Sequence, residues 1–422
     1  MTGSDLSIQT ILKKQEKMDL LRFFTAGNVD DGKSTLIGRL LLDSDSISTD
    51  IIETVTKQSK AYGDETGIDL ALLTDGLRAE REQGITIDVA YKYFSTSKRK
   101  FIIADTPGHA QYTRNMFTGA SNADLAIILV DARNGISDQT KRHSIISSIL
   151  DVPHVLVCVN KMDLVDYSQE VFDTIQKDYI EFSKPLNLNK ISFLPTSALV
   201  GDNVVKNSDK MDWYKGSSLM EFLENVKIEE DSRVQEARFQ VQYVIRPQTN
   251  ELHDYRGYAG SILSGSFKVG DKVKIYPSEM VSTISRIERN QKDVKVAEIN
   301  EPIVIHLEED IDISRGSTIV FSDSSIETEK ELSATICWMD NKAYQKGNKL
   351  LLQQNSFRAK AVIKEIESNI DIHTYELSDN DGTMNLNDFC KVNIKTAETI
   401  GFDSYKKNRK TGAFILINEN TN

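Results

Sequence analysis

A glycine-rich segment near the start of the chain has the residue types that hold phosphate. Gly27–Ser34 reads GNVDDGKS, which fits G-x-x-x-x-G-K-[ST]. In such a loop the backbone wraps the phosphates, while main-chain N–H groups, a helix N-terminus and Lys33 receive their negative charge. The Ser34 hydroxyl can ligate Mg²⁺. The segment predicts a nucleoside triphosphate site, and the bland alternative is a glycine turn with an exposed lysine.

Two further segments suit a γ-phosphate and its metal. Asp105–Gly108 (DTPG) follows an apolar run, so its carboxylate can hold Mg²⁺ and the Gly108 N–H can meet the γ-phosphate. Thr86 lies within GITID, where its hydroxyl and carbonyl can reach the same metal and phosphate. Standing alone, DTPG would be an ordinary turn and Thr86 a strand residue.

A histidine follows DTPG directly. From position 109 the His109 imidazole can orient water for in-line attack on the γ-phosphate. Val29 and Ile85 can form an apolar gate that keeps the imidazole away until a partner acts. The alternative is a histidine that only caps the loop. The other histidines have no comparable context, and we expect them on the surface or in the barrels: His143, His154, His253, His306 and His373.

A later segment is suited to selecting a base. Asn160–Asp163 (NKMD) follows an apolar strand, and the Asp163 carboxylate can accept two N–H bonds from the N1 and N2 edge of guanine. Adenine offers neither donor there, so the site would reject ATP. Asn160 would tie the base loop to the phosphate loop, and the Lys161 stem would cover the ring. Three backbone N–H groups could reach the guanine oxygen, those of Ser197, Ala198 and Leu199.

The order of these segments predicts a GTPase more strongly than any one of them does. Each follows a predicted strand, and in parallel sheets ligands bind at the carboxyl edge. We therefore expect GTP and Mg²⁺ as cofactors, with Lys33, Thr86 and His109 in the reaction. The metal ligands would be Ser34, Thr86 and Asp105. The predicted GTP-binding residues are Gly27, Asn28, Val29, Asp30, Asp31, Gly32, Lys33, Ser34, Thr35, Asp105, Thr106, Pro107, Gly108, His109, Asn160, Lys161, Met162, Asp163, Ser197, Ala198 and Leu199.

Hydrophobic periodicity predicts the elements that position these groups. After an N-terminal extension over 1–19, short apolar strands alternate with helices over 20–230, which indicates an α/β P-loop domain with a parallel sheet. A charged linker, Ile228–Gln235, then precedes strands of period two. We expect one β-barrel domain over 236–322 and, after the acidic run Ser322–Glu331, a second over 328–422.

Composition limits the remaining possibilities. The chain has 422 residues and a net charge of -12, from 51 Lys and Arg against 63 Asp and Glu, so a large nucleic-acid surface is not expected. Its three cysteines are far apart, which favours a reducing cytoplasm. No apolar run has the about 18 residues of a membrane span. We expect a hairpin tip at Lys98–Lys100 and a solvated hairpin at the basic cluster Lys406, Lys407, Arg409 and Lys410.

The motifs resemble those of translation-factor-type GTPases, the relatives of elongation factors Tu and 1-alpha. GSFKVGDKV at 265–273 resembles their first-barrel hairpin. Within this class the chain is most similar to the GTPase-subunit family of sulfate adenylyltransferases, through 21–41, 74–91, 104–121 and the tail at 402–417. Elongation factors usually carry D-H-G-K where this chain has Asp30-Asp31-Gly32-Lys33.

The resemblance implies a partner. In this family a separate catalytic subunit of the ATP-pyrophosphatase type makes adenylyl sulfate and pyrophosphate from ATP and sulfate, and GTP hydrolysis drives that uphill step in sulfate assimilation. A heterodimer or higher heteromer is expected, without membrane or nucleic acid. Two alternatives stay open: an elongation-factor-like carrier of aminoacyl-tRNA, which shares the domain plan, and a regulatory switch without metabolic output.

Overall fold

The computed structural model describes residues 18–44, 47, 50, 52–53, 55–56, 70–73, 88–109, 112–228, 236–247, 255–324 and 326–419. The chain forms two compact units, one of residues 1–228 with 371–376 and one of residues 229–370 with 377–422. Within the described ranges, no helix is long and apolar enough to cross a membrane.

The first unit is built on a six-stranded sheet. Its strands are β1 (Asp19–Ala26), β2 (Ala90–Ser95), β3 (Arg99–Asp105), β4 (Leu125–Asp131), β5 (His154–Asn160) and β6 (Ile191–Pro195), in the order β2-β3-β1-β4-β5-β6. The described helices are α1 (Lys33–Asp43), α2 (Thr113–Ala120), α3 (Asp138–Ile149), α4 (Gln169–Ser183) and α5 (Leu219–Asn225). The predicted α/β alternation is confirmed.

Parallel pairing brings the predicted site segments to one edge. β3, β1, β4, β5 and β6 pair in parallel with their neighbours, and every residue of β4 is buried. Parallel strands end at the same side of a sheet. Gly27 follows β1, Asp105 ends β3 and Asn160 ends β5, so the hydrophobic core of the sheet fixes the spacing of these three positions.

The edge strand β2 runs antiparallel to β3, as the hairpin tip expected at Lys98–Lys100 implies, whereas the rest of the sheet is parallel. Ala90 pairs with Asp105 in an antiparallel ladder. Only residues 96–98 connect the two strands, whereas a parallel connection needs a crossover of about a dozen residues or more. β2 therefore leads from the segment of Thr86 straight to the strand that ends in DTPG.

The basic run Lys98–Lys100 is not wholly a hairpin tip. Arg99 begins β3 and is 4% exposed. Its Nη1 donates to the carbonyls of Leu223 (3.0 Å) and Val226 (2.6 Å). Arg99 thus holds the end of α5 against the sheet, and the turn itself lies at residues 96–98.

The second unit begins with a closed antiparallel sheet. Its strands are β7 (Arg238–Ile245), β8 (Gly257–Ser264), β10 (Lys272–Tyr276), β11 (Met280–Arg289), β12 (Lys292–Val294), β14 (Pro302–Leu307) and β15 (Thr318–Phe321), and β10 pairs with both β15 and β11 to close the barrel. β9 (Ser266–Lys268) and β13 (Val296–Glu298) form a separate pair. The sequence did not predict β11, because a register shift between Ile284 and Arg286 interrupts its period of two.

A second antiparallel sheet follows. It consists of β16 (Glu327–Cys337), β17 (Leu350–Gln354), β18 (Phe357–Ile370), β19 (Leu377–Ser378), β20 (Phe389–Phe402) and β21 (Ile415–Ile417), with a four-residue helix α6 (Arg409–Gly412). The acidic run expected as a boundary overlaps β16. The basic cluster is not a hairpin: it forms a turn and α6, where the Asn408 side chain accepts the Lys410 N–H at 3.0 Å.

Each β sheet has its own hydrophobic core, and all-β structure after the α/β domain is confirmed. The division at 236–322 and 328–422 stays a prediction, since both sheets belong to one compact unit. Most of the expected extension over 1–19 lies outside the described residues.

A buried ion pair joins the two sheets of the second unit. Arg238 in β7 is fully buried, and its guanidinium donates to both oxygens of Asp403, which follows β20, at 3.1 and 3.0 Å. Thr411 Oγ1 donates to the same carboxylate at 2.7 Å. Burial alone would raise the pKa of Asp403, but the hydrogen bonds from Arg238 and Thr411 hold it below its ordinary value.

Asp403→Asn should destabilise the second unit by up to about 3 to 5 kcal/mol, because the buried Arg238 guanidinium loses its buried countercharge and keeps only the half-buried Glu236, 2.8 Å away. Since the pKa of Asp403 is lowered in the folded state, its contribution is present above the ordinary carboxyl pKa and is lost as pH falls through the lowered value. Hydrogen exchange in β7 and β20 against pH measures both effects. Lys407→Met removes a cation 3.6 Å from the same carboxylate at the surface and should change little. Equal protection in wild type and Asp403→Asn would show that the pair does not join the sheets.

Candidate functional site

The phosphate loop closes around the Lys33 ammonium. Gly32 has φ 92° and precedes α1, which begins at Lys33, so the first amides of the helix lack acceptors in an earlier turn. Lys33 Nζ donates to the carbonyls of Gly27 (3.0 Å) and Asn28 (2.8 Å). Burial lowers the pKa of Lys33, opposed by the charges of Asp105, Asp31 and Asp30. The loop places a buried cation and free helix amides at one point, as an anion site requires.

Two glycines permit the close approach of the site loops. A Cβ on Gly32 would lie 2.5 Å from Asn160 Nδ2. One on Gly108 would lie 2.5 Å from the Gly27 oxygen and 2.6 Å from Lys33 Nζ. Any larger residue would therefore push the base loop or the DTPG turn away from the phosphate loop.

The DTPG segment is fixed to β1 by hydroxyl groups. Asp105 is 2% exposed, and its Oδ1 accepts from Thr25 Oγ1 at 3.2 Å. Thr106 Oγ1 donates to the Thr25 carbonyl at 2.7 Å. These bonds hold the carboxylate at the sheet edge that also carries Lys33. Carboxylate and hydroxyl oxygens are ligands that Mg²⁺ prefers, so Asp105 and Ser34 fit the expected metal.

His109 is exposed at the end of the DTPG turn. Its ring stands edge-on to Tyr112, with centroids 6.5 Å apart. Val29 is half-buried. Ile85, the other side of the expected gate, and Thr86, the expected metal and reaction residue, lie outside the described residues. The gate and the Thr86 role therefore stay predictions.

The Asn160 side chain joins the predicted base loop to two other loops. Its Nδ2 donates to the Asp31 carbonyl at 2.8 Å. Its Oδ1 accepts the Ala198 N–H at 2.9 Å and lies 3.4 Å from Thr196 Oγ1. The predicted tie between base loop and phosphate loop is present. The Ala198 N–H expected to face the guanine oxygen is bonded to Asn160 in this structure.

The rest of NKMD forms a tight turn. Lys161 has φ 63°, and its Nζ lies 3.0 Å from Asp131 Oδ2. Met162 is fully buried and begins the 3-10 turn Met162–Val165, which also carries the half-buried Asp163. The turn can hold the Asp163 carboxylate toward a base while Asp131 positions the lysine that would cover it.

Two residues that sequence reasoning missed support these loops. Arg39 on α1 donates from Nε to the Ala198 carbonyl (3.3 Å) and from Nη2 to that of Leu199 (2.5 Å). Asp131 ends β4 and is 2% exposed; burial would raise its pKa, but hydrogen bonds from Arg133 and Lys161 hold it at about 2. Asp131 is the last residue of a buried apolar strand, and this position is the signal that could have identified it. Arg39 has no such local signal.

Two of the remaining histidines, His143 and His154, lie where the sequence analysis did not expect them. His143 is 2% exposed in α3; burial first, and then the charges of Lys33 and Arg142, lower its pKa to about 3. His306 lies in β14 of the closed antiparallel sheet and His373 is exposed, as expected. His154 is half-buried at the start of β5, in the sheet of the first unit, so it is neither a surface nor a barrel residue. His253 lies outside the described residues.

Comparison with known families gives two matches. Residues 18–238 match the elongation factor Tu GTP binding domain, and residues 331–422 match the GTP-eEF1A C-terminal domain-like family. The first covers more than half of the chain.

Comparison with curated proteins gives relatives over nearly the whole length. The chain is 49% identical over 417 residues to sulfate adenylyltransferase subunit 1 of Alteromonas mediterranea, covering 98% of this chain and 87% of that one. The Teredinibacter turnerae protein of the same name is 48% identical over 420 residues, covering 99% and 88%. That of Aliarcobacter butzleri is 48% identical over 417 residues, covering 98% and 88%.

Solved structures support the fold. The chain is similar to the GTPase-like domain of S. cerevisiae Ski7 bound to GDP and inorganic phosphate, with a TM-score of 0.51 and 18% identity, covering 98% of this chain and 97% of that one. The same domain bound to GTP gives a TM-score of 0.50. At this identity the likeness shows the fold alone.

Asp163→Asn should weaken GTP binding by roughly 10- to 100-fold and favour XTP, because asparagine offers one acceptor and one N–H donor where guanine needs two acceptors. Competition of GTP, XTP and ITP against a fluorescent guanine nucleotide measures this. Asp166→Asn, on the exposed end of the same turn, is the matched control and should bind GTP as wild type does. An unchanged preference in Asp163→Asn would place the base contact elsewhere.

Proposed function

This chain belongs to the sulfate adenylyltransferase subunit 1 family, and we propose that it is the GTP-hydrolysing subunit of an ATP sulfurylase. In this proposal a partner subunit joins sulfate to the AMP part of ATP, and this chain supplies the free energy of GTP hydrolysis. The family match over 18–238 makes it a GTP-binding protein. The observation that carries the proposal is near-half identity to relatives of that name along 98% of its length.

The proposed GTP site uses the loops that meet at the carboxyl edge of the first sheet. The N-terminal amides of α1 and Lys33 would receive the phosphates, and Asp163 would accept the N1 and N2 protons of guanine. Ser34 and Asp105 would hold Mg²⁺ together with Thr86. The ion would neutralise charge on the β and γ phosphates when bound.

Hydrolysis would depend on His109. Its exposure at the end of DTPG leaves the imidazole able to turn toward the γ-phosphate, where it would orient the attacking water. Water attacks phosphorus, the bond to the β-phosphate oxygen breaks, and inorganic phosphate leaves with GDP as the other product. Val29 and Ile85 would restrain the imidazole until the partner is bound.

In this proposal, GTP hydrolysis is coupled to the partner's reaction through two segments that would contact the γ-phosphate. Gly108 lies against Lys33 and the Gly27 carbonyl, so a phosphate bound there would contact the DTPG segment directly. β2 joins the segment of Thr86 to β3 through a three-residue turn, residues 96–98. Release of phosphate would free both segments together.

The subunit name of the relatives supports a heteromer. We propose a catalytic partner of the ATP-pyrophosphatase type, which alone would bind ATP and sulfate. A location in the reducing cytoplasm belongs to the same proposal, supported by three cysteines that are free: Cys158, Cys337 and Cys390.

The function is tested by recovering the chain from its native cells with a non-hydrolysable GTP analogue and assaying the complex. We expect an ATP-pyrophosphatase-like protein to be recovered, and adenylyl sulfate and pyrophosphate to form from ATP and sulfate only while GTP is hydrolysed. Recovery of aminoacyl-tRNA without such a protein would indicate an elongation-factor-like carrier of aminoacyl-tRNA. GTP hydrolysis that neither ATP nor sulfate stimulates would indicate a regulatory switch without metabolic output.

His109→Ala should lower the partner-stimulated GTPase rate by about 10²- to 10⁴-fold while GTP affinity stays near wild type, because the imidazole would act on water and not on the nucleotide. Stimulated single-turnover hydrolysis and nucleotide titration separate the two. His154→Ala, at the opposite end of β5 from Asn160, is the control. If His109→Ala keeps its stimulated rate, His109 only caps the loop.

A further inference from the structure

Asp31 is a buried charge in the phosphate loop that the mechanism does not use. It is 6% exposed, whereas the neighbouring Asp30 is exposed. A carboxylate is costly to bury unless other groups offset its charge. In this chain it lies within a loop that is proposed to hold the negative charge of a nucleotide.

The Asp31 carboxylate is fixed against the loop backbone. Its Oδ2 accepts the Asn28 N–H at 2.5 Å, and a Cβ on Gly27 would lie 3.2 Å from the same oxygen. The Asp31 carbonyl accepts from Asn160 at 2.8 Å. With both backbone and side chain held, the carboxylate cannot turn out into solvent without breaking the loop.

The charges around Asp31 offset it only in part. Lys33 and Lys161 attract it and Asp131 repels it. Lys161 is shared with Asp131, which lies 3.0 Å from its ammonium. Burial raises the pKa of Asp31, and the opposing effects of the Asn28 N–H and Lys33 are smaller. The Asn28 N–H and the Lys33 ammonium both favour the ionised carboxylate, which lies beside the lysine that is proposed to receive the phosphates.

We propose that Asp31 sets the lifetime of the bound nucleotide, because its fixed negative charge lies within the phosphate loop and weakens the binding of GDP. The inference rests on the proposed GTP site. GDP would be attracted by Lys33 and the amides of α1 and repelled by Asp31, through a medium where charges interact more strongly than in water. Asp31 is an affinity-determining residue and takes no part in the chemical step.

Asp31→Asn tests this, since asparagine keeps the shape and can still accept the Asn28 N–H. We expect fluorescent GDP to leave the full-length chain, with Mg²⁺ present, about tenfold more slowly than from wild type, with a similar association rate. Asp30→Asn removes an equal charge from the exposed neighbour and should slow release less, since solvent screens that site.

Two comparisons separate charge from loop structure. If Asp31 acts on phosphate charge, the gain in affinity of Asp31→Asn grows from guanosine through GMP to GDP. Asp31→Ala, which also loses the acceptor, should still release GDP more slowly than wild type. Two results would overturn this inference without affecting the proposed GTP site. One is GDP release from Asp31→Asn that is as fast as from wild type or faster, and the other is an equal gain in affinity for guanosine and for GDP. A wild-type chain that holds no fluorescent GDP overturns the proposed GTP site with it.

Discussion

The geometry of the candidate site depends on the side-chain amide of Asn160. It is 2% exposed and bonds to Asp31 in the phosphate loop and to Ala198 beyond β6. Buried hydrogen bonds of this kind are strong and costly to lose. Because Asn160 ends β5, which pairs on both sides within the sheet, the core decides where the amide lies. The loops proposed to bind phosphate and to recognise the base therefore share one anchor, although their motifs are more than a hundred residues apart.

The electrostatics of the site suit a ligand that brings negative charge. Lys33 is buried and bonds to two main-chain carbonyls, which offset its charge less well than a phosphate would. Two further residues of the site, Asp105 and Asp131, have buried carboxylates. These two carboxylates have different partners: Asp131 is paired with Arg133 and Lys161, whereas Asp105 accepts a hydrogen bond from the Thr25 hydroxyl.

Local chemistry could be predicted from the sequence, and remote contacts could not. The loops at Gly27–Ser34, DTPG and NKMD were predicted because each motif carries its own chemistry after a short apolar strand. Arg39 was missed because its acceptors lie on a loop about 160 residues away. The direction of β2 follows from the hairpin tip expected at Lys98–Lys100, since so short a connection forbids a parallel pairing. Strand β11 could not, because a bulge interrupts the alternation of its residues.

The Arg238–Asp403 pair also constrains how this chain can evolve. A buried ion pair adds little net stability compared with two well-packed apolar residues, yet losing either partner alone is strongly destabilising. A lineage that begins to replace the pair must pass through a chain in which a buried charge has lost its buried partner. The two positions, 165 residues apart, are thus expected to be inherited together. Selection retains the pair because each single replacement is harmful, although the pair itself adds little to the free energy of unfolding.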